Sequence, residues 1–220
     1  MDLKEIFPGV WQFEKHLLTL NKVKGVRVYG EKLFTFNDIE YRKWDPFHSK
    51  LAAGIKKGLK DFPVKPGSSI LYLGCAEGTT CSHLSDIVGE KGLIVGLDFS
   101  PKAMQEYIKL CSKRNNLQPL LENASSPQNY SDLFNGKFDV LIQDIAQRNQ
   151  AEIFLKNSIF LKDNGFGLIS FKAKSIDSVK EINAVFEREV NLLKEKFKVL
   201  QTVNLSPFEK DHILVLCQKN

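Results

Sequence analysis

The sequence lacks the features that would place it in a membrane or around a metal ion. No apolar run approaches the roughly 20 residues that a membrane-spanning helix needs. The first residues, Met-Asp-Leu-Lys-Glu-Ile-Phe-Pro, form no secretory hydrophobic segment, so we expect a cytoplasmic protein without membrane contact. The cysteines show no paired metal-ligand spacing, and we interpret them as reduced packing residues without a metal site: Cys75, Cys81, Cys111 and Cys217.

The net charge is also low, and the distribution of charged residues along the chain is more informative than the total. A formal charge of +5 does not by itself indicate a nucleic-acid-binding protein. Between Arg42 and Lys65, however, seven Lys or Arg residues stand against two Asp or Glu. We interpret this segment as a basic patch, with an ordinary solvated face as the alternative.

Residues 1–40 have a different pattern from the rest of the chain. Short apolar alternations at 10–13, 17–20, 26–29 and 33–36 are separated by turn residues. This pattern predicts a small antiparallel β domain over residues 1–40. It is too short for a core of its own, so we expect it to pack on the domain formed by the rest of the chain.

From residue 41 to 220 apolar strands alternate with helical segments, which predicts a single α/β domain. A helix is predicted at 49–60. Further helices are predicted at 79–88, 101–114, 149–161 and 179–196, and strands at 69–73, 93–97, 117–121, 138–143, 166–171, 198–203 and 212–216. A mostly parallel, Rossmann-like sheet that ends in an antiparallel hairpin is the order typical of class I S-adenosylmethionine-dependent methyltransferases.

A small-residue turn between the first two strands of this domain predicts a nucleoside site. Gly74, Ala76 and Gly78 are expected to let a ligand approach the backbone. Asp98 ends the next strand, where a carboxylate can bind both ribose hydroxyls. Glu77 lies where the pyrophosphate of NAD would approach, so the turn favours S-adenosylmethionine, whose sulfonium is cationic. An NAD-dependent oxidoreductase is the alternative.

Two more charged residues follow predicted strands. Asp144 and Lys172 are expected at the carboxyl ends of parallel strands, where open α/β sheets bind ligands. There they would form an ion pair facing the substrate, unless each is only a solvated strand-end charge. His212 begins the last strand, and a histidine in such a place is more often a surface or hydrogen-bonded residue.

Several motifs resemble one family in particular. Residues 40–53, Glu-Tyr-Arg-Lys-Trp-Asp-Pro-Phe-His-Ser-Lys-Leu-Ala-Ala, closely resemble the fibrillarin segment Y-R-x-W-N-P-F-R-S-K-L-A-A. Residues 71–80, Leu-Tyr-Leu-Gly-Cys-Ala-Glu-Gly-Thr-Thr, are similar to its L-Y-L-G-A-A-S-G-T-T. Residues 28–32, 144–147, 172–173 with 176–177, and 209–212 also match. Six motifs therefore recur in order, and the resemblance covers roughly residues 20–216. The chain resembles archaeal fibrillarins, since it lacks the Gly/Arg-rich extension of eukaryotic members.

The resemblance implies an RNA ribose 2′-O-methyltransferase that uses S-adenosylmethionine and is the catalytic subunit of a box C/D guide ribonucleoprotein. Its substrate would be ribosomal RNA, with transfer RNA left open. The implied partners are guide RNA, target RNA, a Nop-domain scaffold protein and a kink-turn-binding ribosomal-type protein. A non-catalytic structural subunit of the same particle is the alternative, and retention of the family's proposed catalytic residues argues against it.

The resemblance also implies site residues. The catalytic group maps onto Lys50, Asp144, Lys172 and His212. Lys172, held beside Asp144, is expected to orient the 2′-oxygen and take its proton, which requires a lowered lysine pKa that Lys50 nearby would favour. The cofactor-binding residues would be Gly74, Ala76, Gly78, Thr79, Thr80, Asp98, Phe99, Asn123, Ala124, Asp144, Ile145, Ala146 and Gln147.

The chain departs from the family pattern at four of these motif positions. Glu77 replaces the usual Ser and Asn123 the usual Asp, and both departures concern cofactor affinity. His48 replaces Arg, which weakens the basic face, and Arg148 follows Gln147 where Pro is common.

Overall fold

The first sheet is antiparallel and consists of the five N-terminal strands. A computed structural model describes residues 2–134 and 136–220. In it the strands pair in the order β1-β2-β3-β5-β4. Their bounds are β1 Lys4–Phe7, β2 Val10–Phe13, β3 His16–Leu20, β4 Leu33–Phe36 and β5 Ile39–Trp44. The predicted domain boundary at residue 40 therefore falls inside β5.

The prediction of a strand at residues 26–29 was wrong, because a side chain takes the hydrogen bonds that a neighbouring strand would need. The Glu31 carboxylate accepts the backbone N–H groups of Val28 at 3.0 Å and Tyr29 at 2.9 Å. The segment is irregular with a bend at 28–30, whereas β1 and β5 are strands that the sequence pattern did not predict.

The second sheet confirms the predicted class I methyltransferase fold. Its order is β11-β12-β10-β9-β6-β7-β8, parallel except for β12, which is antiparallel to both of its neighbours. The strands are β6 Ser69–Leu73, β7 Leu93–Asp98, β8 Leu117–Leu121, β9 Phe138–Gln143, β10 Leu161–Lys172, β11 Phe197–Asn204 and β12 His212–Lys219. The helices are α1 Lys50–Lys56, α2 Thr79–Val88, α3 Pro101–Cys111, α4 Gln150–Asn157, α5 Ala173–Ile176 and α6 Ile182–Leu193.

The helix predicted at 179–196 is shorter, because side chains form turns before it. Asp177 accepts the N–H groups of Val179 and Lys180 at 3.0 and 3.1 Å. Glu181 then caps α6 by accepting the N–H of Ala184 at 2.9 Å. Acceptors that satisfy N–H groups ahead of a helix set the residue at which the helix begins.

Two hydrophobic cores lie on the two faces of the second sheet. Alternate residues of β6 divide between them: Ile70 and Tyr72 belong to one core, Leu71 and Leu73 to the other. This alternation is the period of a strand buried on both faces. No helix of the described residues is long and apolar enough to cross a membrane.

A buried charge network joins the first sheet to α2. Arg42 of β5 is fully buried, so it does not belong to the predicted basic patch. Its guanidinium contacts Glu31 at 2.6 Å and Asp86 of α2 at 2.7 Å, and it donates to Ser82 at 2.9 Å. Arg114 contacts the other oxygen of Asp86 at 2.6 Å. Burial alone would raise the pKa of Glu31, but the Arg42 charge and backbone N–H groups lower it.

A neutral histidine lies beside this network. His83 of α2 is fully buried and hydrogen-bonds Thr19 at 2.7 Å and Tyr29 at 2.9 Å, while Trp44 stacks on its ring at 5.4 Å between centroids. Burial holds the pKa of His83 well below its ordinary value, and the positive charges of Arg42 and Arg114 lower it further. The stability that neutral His83 contributes is therefore lost as pH falls below about 6.5, where an unfolded chain binds the proton.

We predict that Asp86→Asn destabilises the protein by about 3–5 kcal/mol, because two buried guanidinium groups lose their shared carboxylate. Urea unfolding measures this change. The matched control is Glu106→Gln in the exposed Glu106–Lys109 pair, which should cost less than about 1 kcal/mol. Equal losses in the two variants would contradict a structural role for the network.

Candidate functional site

Two glycines shape the turn after β6. They were expected to let a ligand approach the backbone, but they pack against the protein itself. Gly74 has φ +82°, and a Cβ there would overlap the backbone carbonyl of Asp144. Gly78 has φ +90°, and its Cβ would lie 2.6 Å from side-chain atoms of Tyr107 and Leu110. The absent side chains thus make room for the end of β9 and for α3, and not directly for a ligand.

The carboxylate of Asp98 is fixed at the end of β7. One oxygen accepts the N–H of Ala76 at 3.0 Å and the other accepts the N–H of Ser100 at 2.9 Å. Each oxygen keeps a lone pair for a further donor. Phe99 follows with 68% of its surface exposed, which is unusual for a large apolar side chain.

Asp98 and Phe99 line a cavity of about 230 Å³ with a mainly apolar wall. A mainly apolar wall with the fixed Asp98 carboxylate suits a nucleoside, whose base is flat and whose ribose carries two hydroxyl donors. The remaining lining residues are Gly74, Ala76, Leu97, Ala124, Asp144, Ile145, Ala146 and Gln147.

A second cavity of about 260 Å³ adjoins the first, since Gly74, Ala76 and Asp144 line both. It extends along Glu77, Thr79 and Thr80 at the start of α2. The remaining residues of its wall are His48, Tyr72, Cys75 and Ala103. These four and Leu97 were not predicted from the sequence. Four of these five lay within or beside a sequence pattern that could have included them: Leu97 is the neighbour of Asp98, Tyr72 and Cys75 lie in the glycine-turn motif, and His48 lies in the 40–53 motif. Ala103 had no such signal.

All the predicted cofactor residues line one of these two cavities, except Gly78 and Asn123. The Asn123 side chain is exposed, and its oxygen accepts the N–H of Ser125 at 2.9 Å. Ser125 in turn donates to the Gln147 side chain at 2.8 Å. Asn123 thus shapes the turn that holds Gln147 in the cavity wall.

An ion pair lies where the two cavities meet, but it is not the expected one. Asp144 pairs with Lys50 at 2.9 Å, and the two side chains are 26% and 21% exposed. The expected pair of Asp144 with Lys172 was wrong. Ser49 caps α1 and Lys50 begins it, which places Lys50 at the end of β9. The Lys172 side chain is exposed and forms no ion pair with any residue that the structure describes.

His212 lies next to Lys172 across the β10–β12 pairing and is only 6% exposed. Its Nδ1 donates to the carbonyl oxygen of Lys210 at 2.6 Å, since a carbonyl can only accept. In the neutral ring Nε2 therefore carries the lone pair. Burial lowers the pKa of His212 below its ordinary value, and the nearby Lys50 charge lowers it further. The Lys210 hydrogen bond, Glu209 and Asp144 oppose this shift, but the pKa stays below its ordinary value. The neutral ring is therefore favoured at neutral pH, and its Nε2 can accept a hydrogen bond. Neither His212 nor Lys172 lines the two cavities.

Comparison with known proteins decides the family. The family model described as fibrillarin matches residues 1–220. The chain belongs to the fibrillarin family. It is 45% identical over 98% of its length to the fibrillarin-like rRNA/tRNA 2′-O-methyltransferase of Thermococcus onnurineus, of which it covers 98%.

Two solved fibrillarin structures support the same assignment. The chain resembles Aeropyrum pernix fibrillarin with natively bound S-adenosyl-L-methionine at a TM-score of 0.90 and 39% identity, covering 99% of this chain and 98% of that one. It resembles fibrillarin in a fibrillarin/Nop5p complex at a TM-score of 0.90 and 39% identity, covering 99% of this chain and 100% of that one.

We predict that Gly74→Ala destabilises the protein more than Gly58→Ala. Gly58 also has a positive φ, +93°, but a Cβ there would meet nothing within 4 Å. Both variants share the cost of a left-handed conformation, about 1–2 kcal/mol, whereas only Gly74→Ala adds an overlap with backbone. Urea unfolding of the two variants measures the difference, and equal losses would contradict close packing of Gly74 on Asp144.

Proposed function

We propose that this chain is the catalytic subunit of a box C/D guide ribonucleoprotein, where it methylates ribose 2′-hydroxyls of ribosomal RNA with S-adenosylmethionine. The observation that carries the proposal is the meeting of the two cavities at Asp144, which pairs with Lys50, at the same end of the sheet where His212 begins β12 opposite Lys172. The names of its fibrillarin relatives support the reaction. Transfer RNA is a second substrate class, since the Thermococcus onnurineus relative is named for both RNAs.

The two cavities fit the two ends of the cofactor. Asp98 would hold the ribose hydroxyls and Phe99 would pack on the adenine, while Thr79 and Thr80 would hold the methionine end. Asp144 lines both cavities, and its carboxylate, although offset by Lys50 at 2.9 Å, lies where they join, which is where the cationic sulfonium would bind. Glu77 in the second cavity disfavours a pyrophosphate, which argues against NAD. When bound, S-adenosylmethionine supplies a methyl group for the ribose oxygen.

The chain itself must activate a ribose hydroxyl, which is a poor nucleophile. In this proposal the hydroxyl proton passes to Nε2 of His212, which then becomes an imidazolium. Glu209, 3.9 Å from Nδ1, and Asp144 both favour that charge. Lys50 holds the Asp144 carboxylate in place at 2.9 Å. Alignment of the hydroxyl with the methyl group supplies much of the remaining acceleration.

Lys172 has a different role here from the one expected at first. Its side chain is exposed at the rim, where a cation can hydrogen-bond the ribose oxygen or a neighbouring phosphate of the RNA. His212 is the better proton acceptor, because it is buried and neutral and its Nε2 carries a lone pair. The four residues of the predicted catalytic group therefore divide into an acceptor, an ion pair and an outer cation.

The choice of which ribose is methylated must be made by partner molecules, because the basic surface of this chain does not recognise RNA sequence. The exposed lysines of the predicted basic patch, Lys57, Lys60 and Lys65, offer phosphate attraction without sequence information. Guide RNA would supply the sequence by base pairing. A Nop-domain scaffold protein, which the fibrillarin/Nop5p complex supports, and a kink-turn-binding protein would hold that guide beside the site.

We predict that His212→Ala lowers the methyl-transfer rate by roughly 10²–10⁴-fold and leaves S-adenosylmethionine affinity nearly unchanged. In the wild type, kcat/KM should fall as pH decreases through the lowered His212 pKa, below about 6.5, because the protonated ring cannot accept. Single-turnover rates across pH and calorimetry of cofactor binding measure both effects. Wild-type rates in His212→Ala would contradict the acceptor role.

The overall function is tested by transfer of a tritiated methyl group to guide-matched RNA. The complete complex should label RNA that carries a 2′-hydroxyl at the guided position, and should not label the same RNA with a 2′-deoxy nucleotide there. The chain alone should transfer little, because it has no guide. Equal labelling of the deoxy substrate, or robust site-specific transfer by the chain alone, would overturn the proposal.

A further inference from the structure

Arg148 is an exposed cation at the rim of the site. It lies directly after Gln147, which lines the 230 Å³ cavity. Among the residues that the structure describes, its guanidinium has no ion-pair or side-chain hydrogen-bond partner. It takes no part in the proton transfer proposed for His212.

The loop that carries Arg148 is tied to the end of β10 through the buried Gln150. The Gln150 side chain donates to the carbonyl of Gln147 at 2.9 Å and accepts the N–H of Lys172 at 3.1 Å. Its own carbonyl accepts the Gln143 side chain at 2.8 Å. The fully buried Gln150 side chain therefore ties the loop before α4 to the end of β10, so the backbone at Arg148 and Lys172 is held beside the end of β9.

The charges around the rim leave these two cations without a counterion in the part of the chain that the structure describes. Lys174, the next basic residue along the chain, is already paired with Asp211 at 2.8 Å. The Glu189 carboxylate, which lies against the start of α4, contacts Arg188 at 2.9 Å and accepts the N–H of Ala151. Two uncompensated cations beside a ribose-modifying site favour an anionic partner there.

We propose that Arg148 binds a backbone phosphate of the RNA beside the ribose that is methylated. The inference rests on the proposed function, because a ribose in this site brings its flanking phosphates to the rim. A guanidinium can bind two phosphate oxygens at once, which fixes orientation as well as adding attraction. Arg148 is thus a substrate-positioning residue.

The first test compares Arg148→Gln, Arg148→Lys and Lys137→Gln in the complete guide complex. Lys137 is an exposed lysine at the amino end of β9, on the opposite edge of the sheet, and serves as the matched control. For Arg148→Gln we expect roughly tenfold slower single-turnover transfer and a salt slope of RNA binding reduced by about 0.7–0.9, the share of one phosphate contact. Arg148→Lys should keep the slope, and Lys137→Gln should match the wild type.

The second test places one uncharged methylphosphonate at a time on either side of the guided ribose. One position should slow the wild type but have no further effect in Arg148→Gln. Additive effects at every position, or behaviour of Arg148→Gln like Lys137→Gln, would overturn the inference. So would a loss confined to assembly with the scaffold protein, which would assign Arg148 to a protein partner. A wild-type complex that transfers no methyl group would instead overturn the proposed function itself.

Discussion

The buried pairing of Arg42 with Asp86 is the interaction on which the position of the site depends. It joins β5 of the first sheet to α2, and Arg114 and Glu31 complete the network. The start of α2 carries the threonines of the second cavity. The small first sheet contributes Val10, Leu17 and Trp44 to one of the two hydrophobic cores. Buried charges fix its position on α2 as well, and breaking one of these pairs is costly because it leaves an uncompensated buried charge. The neutral His83 beside them makes the same junction sensitive to acid.

The site itself is assembled from strand ends that are distant in the chain. Lys50 and Asp144 are 94 positions apart and meet at 2.9 Å, and His212 comes from the antiparallel strand that closes the hairpin. Gly74 permits this approach, because a side chain there would meet the backbone of Asp144. Close packing of two strand ends therefore brings the two cavities and the Lys50–Asp144 pair together.

Local features and the class of the sheet were predicted well from the sequence, whereas contacts between distant side chains were not. The glycine turn, α2 and Asp98 follow each other closely, so their spacing alone indicated that they meet at one cavity. The partner of Asp144 depends on how α1 packs across the sheet, and the sequence favoured Lys172 in place of Lys50. Arg42 was assigned to a basic surface because nothing local indicates that Asp86 meets it in the core.

The most direct measurement is mass-spectrometric mapping of the methyl group on RNA treated with the complete guide complex and S-adenosylmethionine. We expect a single 2′-O-methyl ribose at the guided position, which moves by one nucleotide when the guide is shifted by one. A methyl group on a base, or one that stays in place when the guide shifts, would contradict ribose methylation directed by a guide RNA.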